Sequence, residues 1–388
     1  MTNLIKRSLL EVVSSIVDNR GRTCPTADSG FPLIATNCLK SGVKYPVFEN
    51  IRYVDEVTYE SWFRAHPEPG DILFVTKGSP GRVAVVSDPV TFCIAQDMVA
   101  LRANEDVVDS GYLYYRLLSL DVQSKIGNMH VGTMIPHFKK GDFGKLFFDV
   151  HVNIGDQRAI AEVLGALDGK IAANDEVIIK ANQLASAVLE SSLNGSTVSL
   201  VSIAEITMGS SPPGSSYNEN SDGMCFYQGV RDFGIRYPSN RVWTTEPGRT
   251  AEKYDTLVSV RAPVGRLNLA NESLCIGRGL AGVRSRTDSP MTLFHQIGAA
   301  KSEWAPFEAE GTIFGSINKT QLAAIQVPMV SADAASQLEV QLGSLEAMIA
   351  SSIQENMLLE RTRDQLLPLL ISGKLRVKDA EKLVEEVV

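Results

Sequence analysis

The sequence has few of the features that mark a membrane or secreted protein. No apolar run reaches the roughly 18 residues that a membrane-spanning helix needs. The first 15 residues lack the apolar stretch and small-residue cleavage site of a signal peptide. The five cysteines are scattered and never form a CxxC pair, which argues against a zinc ribbon and a disulfide framework. We therefore expect a cytoplasmic protein with buried or unused thiols.

The motifs of common enzyme classes are also missing. Amino-methyltransferases carry an aromatic ring after a Pro-Pro pair, to stack on a flipped base, whereas Pro212 and Pro213 are followed by Gly214. There is no glycine-rich nucleotide-binding fingerprint, and none of the five histidines has the spacing of paired metal ligands. The sequence predicts no catalytic site, no metal and no cofactor in this chain. The loosely defined carboxylate–lysine site of a nuclease stays open as an alternative.

A basic excess, which is common in nucleic-acid-binding proteins, is absent too. The net charge is −8, from 37 basic and 45 acidic residues. Residues 1–152 nevertheless hold 16 basic and 17 acidic side chains, and residues 198–330 hold 12 of each. Residues 153–197 carry 3 basic against 6 acidic, and residues 331–388 carry 6 against 10. The two large blocks are thus nearly neutral, and local basic loops on them remain compatible with DNA binding.

An internal repeat with a period of about 180 residues organises the chain. Four pairs of segments match in the same order, which chance does not easily produce. The pairs are Gly70–Lys77 with Gly81-Arg82 and Tyr254–Arg261 with Gly265-Arg266, Cys93-Ile94 with Leu101-Arg102 and Cys275-Ile276 with Val283-Arg284, Gly132–Met134 with Lys140 and Gly311–Ile313 with Lys319, and Leu164–Asp168 and Leu342–Glu346. Short β-branched and aromatic runs alternate with turn residues in each copy, which is typical of strands and loops.

Each copy is followed by a segment with a heptad pattern. Apolar or small residues recur at alternating steps of 4 and 3 for about five heptads, which predicts two helices roughly 50 Å long. The predicted contact positions are Ile160, Leu164, Leu167, Ile171, Asn174, Ile178, Ala181, Ala185, Val188 and Ser192 in the first helix, and Leu338, Leu342, Leu345, Ile349, Ser352, Asn356, Leu359, Arg363, Leu366 and Leu370 in the second. Polar members would fix the register, and the small Ala181 and Ala185 would leave room for another subunit.

These features predict an α+β protein with two repeated mixed domains joined by two long antiparallel coiled-coil helices. The expected segments are a first recognition domain, 1–152, a central helical spacer, 153–197, a second recognition domain, 198–330, and a C-terminal helical spacer and tail, 331–388. Each domain is expected to hold a mostly antiparallel sheet, whose strand order the sequence does not indicate. The alternative is that each helix only covers the core of its own domain.

This organisation resembles the specificity subunit of type I restriction–modification enzymes. The resemblance covers residues 8–377. The end, Leu366–Val377, is similar to the characteristic chain end of that family, and Gly70–Arg82 and Tyr254–Arg266 are similar to its GD-I-L segment followed by GR. Thr207–Pro213 followed by Phe226–Gly229 is similar to the opening of many of its recognition domains.

The resemblance implies a division of labour. Each domain would read one half of a bipartite double-stranded DNA site, the helices would set the distance between the halves, and two methyltransferase subunits would dock on the helices. Motor-nuclease subunits would be possible further partners. S-adenosylmethionine, and ATP with Mg²⁺ if a nuclease subunit joins, would be bound by those partners. Half-sites one duplex turn apart lie roughly 34 Å from each other.

DNA readout needs basic and amide side chains on exposed loops. Lys77, Arg261, Lys140 and Lys319 occur at equivalent points of the two copies, so they are predicted to contact phosphates rather than bases. Base readout is expected where the copies differ, near Arg20, Arg22 and Lys40 in the first copy or near Gln228, Arg231 and Arg236 in the second. The full set of candidate DNA-binding residues is Arg20, Arg22, Lys40, Lys77, Arg82, Lys139, Lys140, Gln228, Arg231, Arg236, Arg261, Arg266 and Lys319.

Two other functions remain open at this point. The first is a repeat-built scaffold or regulatory protein that binds protein partners through its helices and binds no DNA. The second is a stand-alone site-specific nuclease.

Overall fold

The computed structural model describes residues 3–19, 23–129, 136–307 and 315–385. Its contacts divide the chain into two compact units, of which unit 1 comprises Met1–Asn174 with Glu355–Val388 and unit 2 comprises Asp175–Gln354. Each unit therefore takes in one mixed domain and half of each long helix, whereas the sequence suggested four consecutive segments. No helix in the described ranges is long and apolar enough to cross a membrane.

The described part of the first copy contains nine strands and three α-helices, and a long helix, α4, follows it. The elements are β1 Leu4–Ser8, β2 Val13–Val17, β3 Phe31–Ile34, β4 Arg52–Val54, α1 Glu56–Ser61, β5 Ile72–Val75, β6 Val83–Val85, β7 Cys93–Ile94, β8 Met98–Ala103, α2 Ser110–Leu118, α3 Leu120–Met129, β9 Phe147–His151 and α4 Ile154–Ser191.

The second copy is built in the same way and is followed by the long helix α9 and a short final helix. The elements are β10 Leu193–Ser199, α5 Leu200–Ile203, β11 Ala204–Met208, β12 Tyr217–Asn218, β13 Met224–Tyr227, β14 Trp243–Thr244, β15 Thr250–Ala251, β16 Thr256–Ser259, β17 Leu267–Leu269, β18 Leu274–Ile276, β19 Leu280–Ser285, α6 Pro290–Ala299, α7 Lys301–Trp304, α8 Lys319–Ala324, β20 Gln326–Val330, α9 Ala335–Ile371 and α10 Val377–Glu385.

The four-stranded sheets of the two copies share one topology, whereas the second sheets differ in size, with three strands in the first copy (β4-β3-β7) and five in the second (β12-β14-β13-β18-β15). An antiparallel four-stranded sheet has the order β2-β8-β5-β6 in the first copy and β11-β19-β16-β17 in the second. A second sheet contains one parallel pair, β3 with β7 or β13 with β18, among otherwise antiparallel strands. Every residue of β5 and of β16 is buried, since both faces of these strands are covered. The mixed, mostly antiparallel fold predicted from the sequence is confirmed.

The sequence left open whether the long helices pair with each other or only cover the core of their own domains, and the structure shows both. In unit 1, Leu164 and Leu167 of α4 belong to the same apolar core as Tyr112 of α2 and as Leu359 and Leu366 of α9. The helix thus covers its own domain and packs against the other helix with one set of side chains. The C-terminal segment that resembles the family's chain end joins this core, because Leu375 and Val377 pack against it.

The order of contacts shows that the helices run antiparallel within each unit. In unit 1, Asn174 contacts Asn356, and the earlier Asp168 pairs with the later Arg363. In unit 2, Ile178 and Ala181 pack with Ile349, and the later residues Ala185 and Leu189 pack with the earlier Leu338 and Leu342. The heptad pattern therefore identified the helical contact surface correctly.

Candidate nucleic-acid interface

A carboxylate–guanidinium pair occupies the same position in both copies. It lies at the start of the central strand of the four-stranded sheet, which is β5 in the first copy and β16 in the second. Asp71, which precedes β5, accepts two hydrogen bonds from Arg102 of β8, at 2.9 and 3.0 Å. Asp255, which precedes β16, accepts two from Arg284 of β19, at 2.8 and 2.9 Å. The hydrogen bonds to these carboxylates raise the pKa of both arginines. These pairs brace the strand from which the basic loop emerges.

The basic loop follows the central strand at its other end. In unit 1 it joins β5 to β6 and carries Lys77 and Arg82, and in unit 2 it joins β16 to β17 and carries Arg261 and Arg266. All four side chains are exposed. The turn depends on glycine at the second copy, because a Cβ on Gly265 would lie 2.6 Å from the Trp304 ring and its φ is +79°.

A second chain segment fastens each basic loop. In unit 1 Lys77 forms an isolated antiparallel bridge with His137, and the amide of Phe138 donates to the Thr76 carbonyl at 2.8 Å. In unit 2 Arg261 forms the same bridge with Ser316, and the amide of Ile317 donates to Val260 at 3.0 Å. The fixed backbone holds an exposed basic side chain at an equivalent point of both copies.

The same bridges bring other predicted candidates near the loop. Lys139 is exposed two residues after His137, and Lys319 is exposed three residues after Ser316. Lys140, by contrast, forms an ion pair with Asp18, so its ammonium group is already neutralised within the protein.

In unit 2 three predicted candidates line one cavity of about 440 Å³. They are Gln228 and Arg231, expected to read bases, and Arg261, expected to contact phosphate. Arg241 also lines this cavity, where its Nε lies 2.8 Å from the carboxylate of the buried Asp232. The structure thus places a proposed backbone contact beside two proposed base contacts.

Other candidates are less available. Arg236 is a correction to the sequence-based prediction, since only 5% of this residue is exposed. Its Nε lies 3.2 Å from Glu346, and its guanidinium stacks over Phe294. Buried in this way, Arg236 braces α9 and cannot reach DNA. Lys40 pairs with Glu49 at 3.0 Å on the surface.

Arg20 and Arg22 lie outside the described residues. Arg82, predicted as a DNA contact, is exposed and points one guanidinium nitrogen at the Leu39 carbonyl, at 3.5 Å.

The twenty positions predicted as helix contacts, which include those expected to dock a partner subunit, are packed within the chain. Sixteen of these twenty positions are buried, and Val188, Ser192, Leu345 and Arg363 are half-buried, because each unit packs them into its own core. Ala181 and Ala185, expected to leave room for another subunit, are buried too. The small residues allow close packing within the chain, so a partner would have to use other faces of the helices.

Two buried ionic networks occupy equivalent places on the long helices. Asp168 of α4 accepts a 2.5 Å hydrogen bond from the Tyr115 hydroxyl and pairs with Arg363 at 2.8 Å. Burial, followed by the Asp168 charge, raises the pKa of Tyr115, so its hydroxyl stays protonated and donates.

In unit 2 the repeat places Glu346 at the position of Asp168 and His295 at that of Tyr115. The His295 Nε2 lies 3.1 Å from Glu346. Burial lowers the pKa of Arg236, and the charge of Glu346, at 3.2 Å, offsets part of that effect. The two arginines come from different elements, since Arg363 belongs to α9 and Arg236 to the loop after β13.

Two arginines beside the candidate readers were missed by the sequence reasoning. Arg241 lines the cavity just described, and Arg278 donates from Nε to the Ser211 hydroxyl at 3.3 Å. The sequence did indicate Arg278 as a candidate, because this arginine follows the matched Cys275-Ile276 pair by two residues, at a point where the copies diverge. Arg241 carried no such signal, since its position depends on the fold of the loop.

The comparisons with known proteins agree with this architecture. No protein-family model matches the chain. A putative type I restriction enzyme MjaX specificity subunit of Methanocaldococcus jannaschii is 27% identical over 372 residues, covering 84% of this chain and 83% of the relative. The chain is related to type I specificity subunits. The resemblance inferred from its motifs is thereby confirmed.

Solved structures of such specificity subunits bear on the fold. The S subunit of the type I restriction–modification system from M. genitalium matches with a TM-score of 0.60 at 17% identity, over 95% of this chain and 96% of that one. The two proteins therefore share a fold. The HsdS subunit from Thermoanaerobacter tengcongensis is 24% identical over 96% of this chain and 97% of that one, with a TM-score of 0.38.

Proposed function

We propose that this chain is the sequence-specific DNA-recognition subunit of a type I restriction–modification complex, in which each mixed domain reads one half of a bipartite site. The observation that carries the proposal is the duplicated basic loop, which a braced strand and an interstrand bridge hold in equivalent form in both copies. Exposed basic side chains on rigid loops are suited to neutralising phosphates and setting the register on a duplex.

The proposed partners act on other surfaces. Two methyltransferase subunits dock on the long helices, and motor-nuclease subunits join where the system restricts DNA. Exposed apolar side chains on the outer faces of the helices suit such docking, and Ile179, Val340 and Met357 are exposed by 56, 68 and 66%. S-adenosylmethionine, and ATP with Mg²⁺ for a nuclease, are bound by those partners, and the complex works in the cytoplasm.

In this proposal the chain has no catalytic role of its own. Neither alternative, the scaffold that binds no DNA or the stand-alone nuclease, is favoured by the relatives, which are specificity subunits. The residues that converge in unit 2, Gln228, Arg231 and Arg261, are groups that donate hydrogen bonds to bases and phosphates.

A binding experiment separates the three functions. The chain is purified with its methyltransferase partner and titrated with genomic duplex at several salt concentrations. We expect binding whose affinity falls with rising salt, since phosphate contacts release counterions. A complex that assembles but leaves the duplex unbound would support the scaffold. Cleavage of DNA by the isolated chain with a divalent metal would establish the nuclease.

A further inference from the structure

Three chain segments that are far apart in sequence meet beside the cavity of unit 2. They are the segment after β11, the segment after β13 and the link between β18 and β19. The amide of Ser210 donates to the Ile276 carbonyl at 2.9 Å, and the amide of Gly279 donates to the Gln228 carbonyl at 3.0 Å. Two motifs that the sequence reasoning associated with the opening of the second domain, around Gly209 and Gln228, thus meet at the third segment.

Glycines make this convergence possible. A Cβ on Gly209 would lie 2.2 Å from the Gly277 carbonyl oxygen, and one on Gly279 would lie 2.4 Å from the Gln228 carbonyl oxygen. A Cβ on Gly277 would lie 2.6 Å from the Gln228 amide oxygen. The backbones are in such close contact that no other residue fits at these points. Between Gly277 and Gly279, only Arg278 presents a side chain.

A chain of hydrogen bonds orients the side chains that emerge there. Arg278 donates from Nε to the Ser211 hydroxyl at 3.3 Å, and that hydroxyl donates its single hydrogen to Oε1 of Gln228 at 3.0 Å. This bond uses one lone pair of the Gln228 amide oxygen, and the Gln228 NH₂ group keeps two donors for a ligand. Arg278 likewise keeps the NH₂ groups at the end of its guanidinium.

Within the described part of the chain, no ion pair with a carboxylate neutralises the charge of Arg278. Other arginines of the same unit, Arg241, Arg284 and Arg286, each pair with a carboxylate. Arg278 is exposed, and among the described residues no carboxylate pairs with it. An arginine fixed at Nε, with its forked end open, has the geometry that recognises a pair of acceptors.

The first copy has a different residue at this place. Aligning Cys93-Ile94 with Cys275-Ile276 puts Gln96 opposite Arg278. The two copies therefore share the phosphate-contact loop but differ at this neighbouring position. A difference here is what two domains with different half-sites require.

We propose that Arg278 is a specificity-determining residue of the second domain, which reads a guanine in its half-site with Gln228 beside it. This inference rests on the proposed function. The major-groove edge of guanine offers two acceptors, N7 and O6, which match the fork of an arginine. The NH₂ group of Gln228 would donate to an acceptor on the same or the neighbouring base pair.

The test compares base discrimination in the complex with its methyltransferase subunits. Methylation mapping first gives the wild-type site, and each base pair of the half-site that unit 2 reads is then replaced in synthetic duplexes. For Arg278→Ala and Arg278→Gln we expect loss of discrimination, roughly 5- to 150-fold, at a single G·C pair. Arg286→Ala, which removes an arginine paired with Glu205, is the matched control and should leave discrimination unchanged.

Several results would overturn the inference. Equal weakening on all duplexes would make Arg278 a phosphate contact, and unchanged discrimination in both variants would remove it from readout. A half-site for unit 2 without any G·C pair would contradict it outright. In each of these cases a bipartite methylated site would still support the proposed function, whereas methylation without such a site would reject that function itself.

Discussion

Lys77 and Arg261 carry a positive charge at the same point of two loops whose following three residues all differ. The bridges to His137 and Ser316 hold both loops, so the shared feature is the position of the charge. A contact common to two domains that read different sequences is best suited to the phosphate backbone, which is the same everywhere.

Replacing either residue with alanine should weaken binding to every duplex alike. Each variant should also make the fall of log affinity with log salt less steep, reducing the magnitude of its negative slope by about 1, because one fewer phosphate is neutralised. Titration of several duplexes at four or five salt concentrations measures both effects, with Lys77→Arg as the control that keeps the charge. A loss confined to one sequence would assign base reading to the residue instead.

The ion pairs Asp71–Arg102 and Asp255–Arg284, which brace the strands that lead into these loops, should contribute to stability. Asp71→Asn or Asp255→Asn removes the charge that accepts two hydrogen bonds from Arg102 or Arg284. We expect a loss of about 1–3 kcal/mol in the free energy of unfolding, discounted for the partly exposed arginines. Chemical denaturation measures it, with Asp88→Asn, on an exposed turn, as the control. Wild-type stability in both brace variants would show that the pairs contribute nothing.

At the scale of elements, the long helices were the part best predicted from sequence. Their heptad positions are local and periodic, so the buried stripe could be read directly, and it is buried as expected at Leu164, Ile178 and Leu342. The strand order could not be read, because pairing depends on distant segments. The burial of Arg236 could not be predicted either, because it depends on Glu346, a partner distant in sequence that lies on α9.

The polar layer between the helices should fix their register. Asn174 donates to Asn356 at 2.9 Å and to Glu355 at 2.8 Å inside unit 1. Asn174→Ala leaves these acceptors with one partner fewer and should cost about 1–2 kcal/mol of unfolding free energy. A double-mutant cycle with Asn356→Ala should return a coupling of about 0.5 kcal/mol or more.

Ser186→Ala, on the exposed side of the same helix, is the control for this cycle. Its stability should stay within about 0.5 kcal/mol of wild type. Fully additive effects of Asn174→Ala and Asn356→Ala would mean that the polar layer does not act as a unit.

A substitution in the buried network of unit 2, formed by Arg236, His295 and Glu346, should destabilise the protein more than one in the polar layer. Glu346→Gln removes the carboxylate beside the buried Arg236, and an uncompensated buried charge typically costs about 3 kcal/mol or more. Hydrogen exchange should show the loss of protection first in α6 and α9 of unit 2, with Glu190→Gln on the exposed face of α4 as the control. Unchanged protection in Glu346→Gln would contradict this role.

At the scale of the whole molecule, the compact units do not coincide with the two recognition domains alone, because each unit also includes parts of both long helices. Asp175–Gln354 is one continuous stretch that contains the second domain together with the helix halves that pack on it. A domain exchanged at residues 198–330 must therefore keep the side chains that contact the helices, such as Phe294 and His295. The acidity outside the two domains suits a role of the helices in binding protein rather than DNA.

The central claim, that each domain reads its own half of one site, is tested most directly by methylation mapping of a domain exchange. Residues 198–330 are replaced by the second domain of another specificity subunit, retaining the helix-contacting residues, and methylated sites are mapped in cells that carry the cognate methyltransferase. We predict that one half of the site changes and the other half stays the same. A change in both halves, or in neither, would contradict the account.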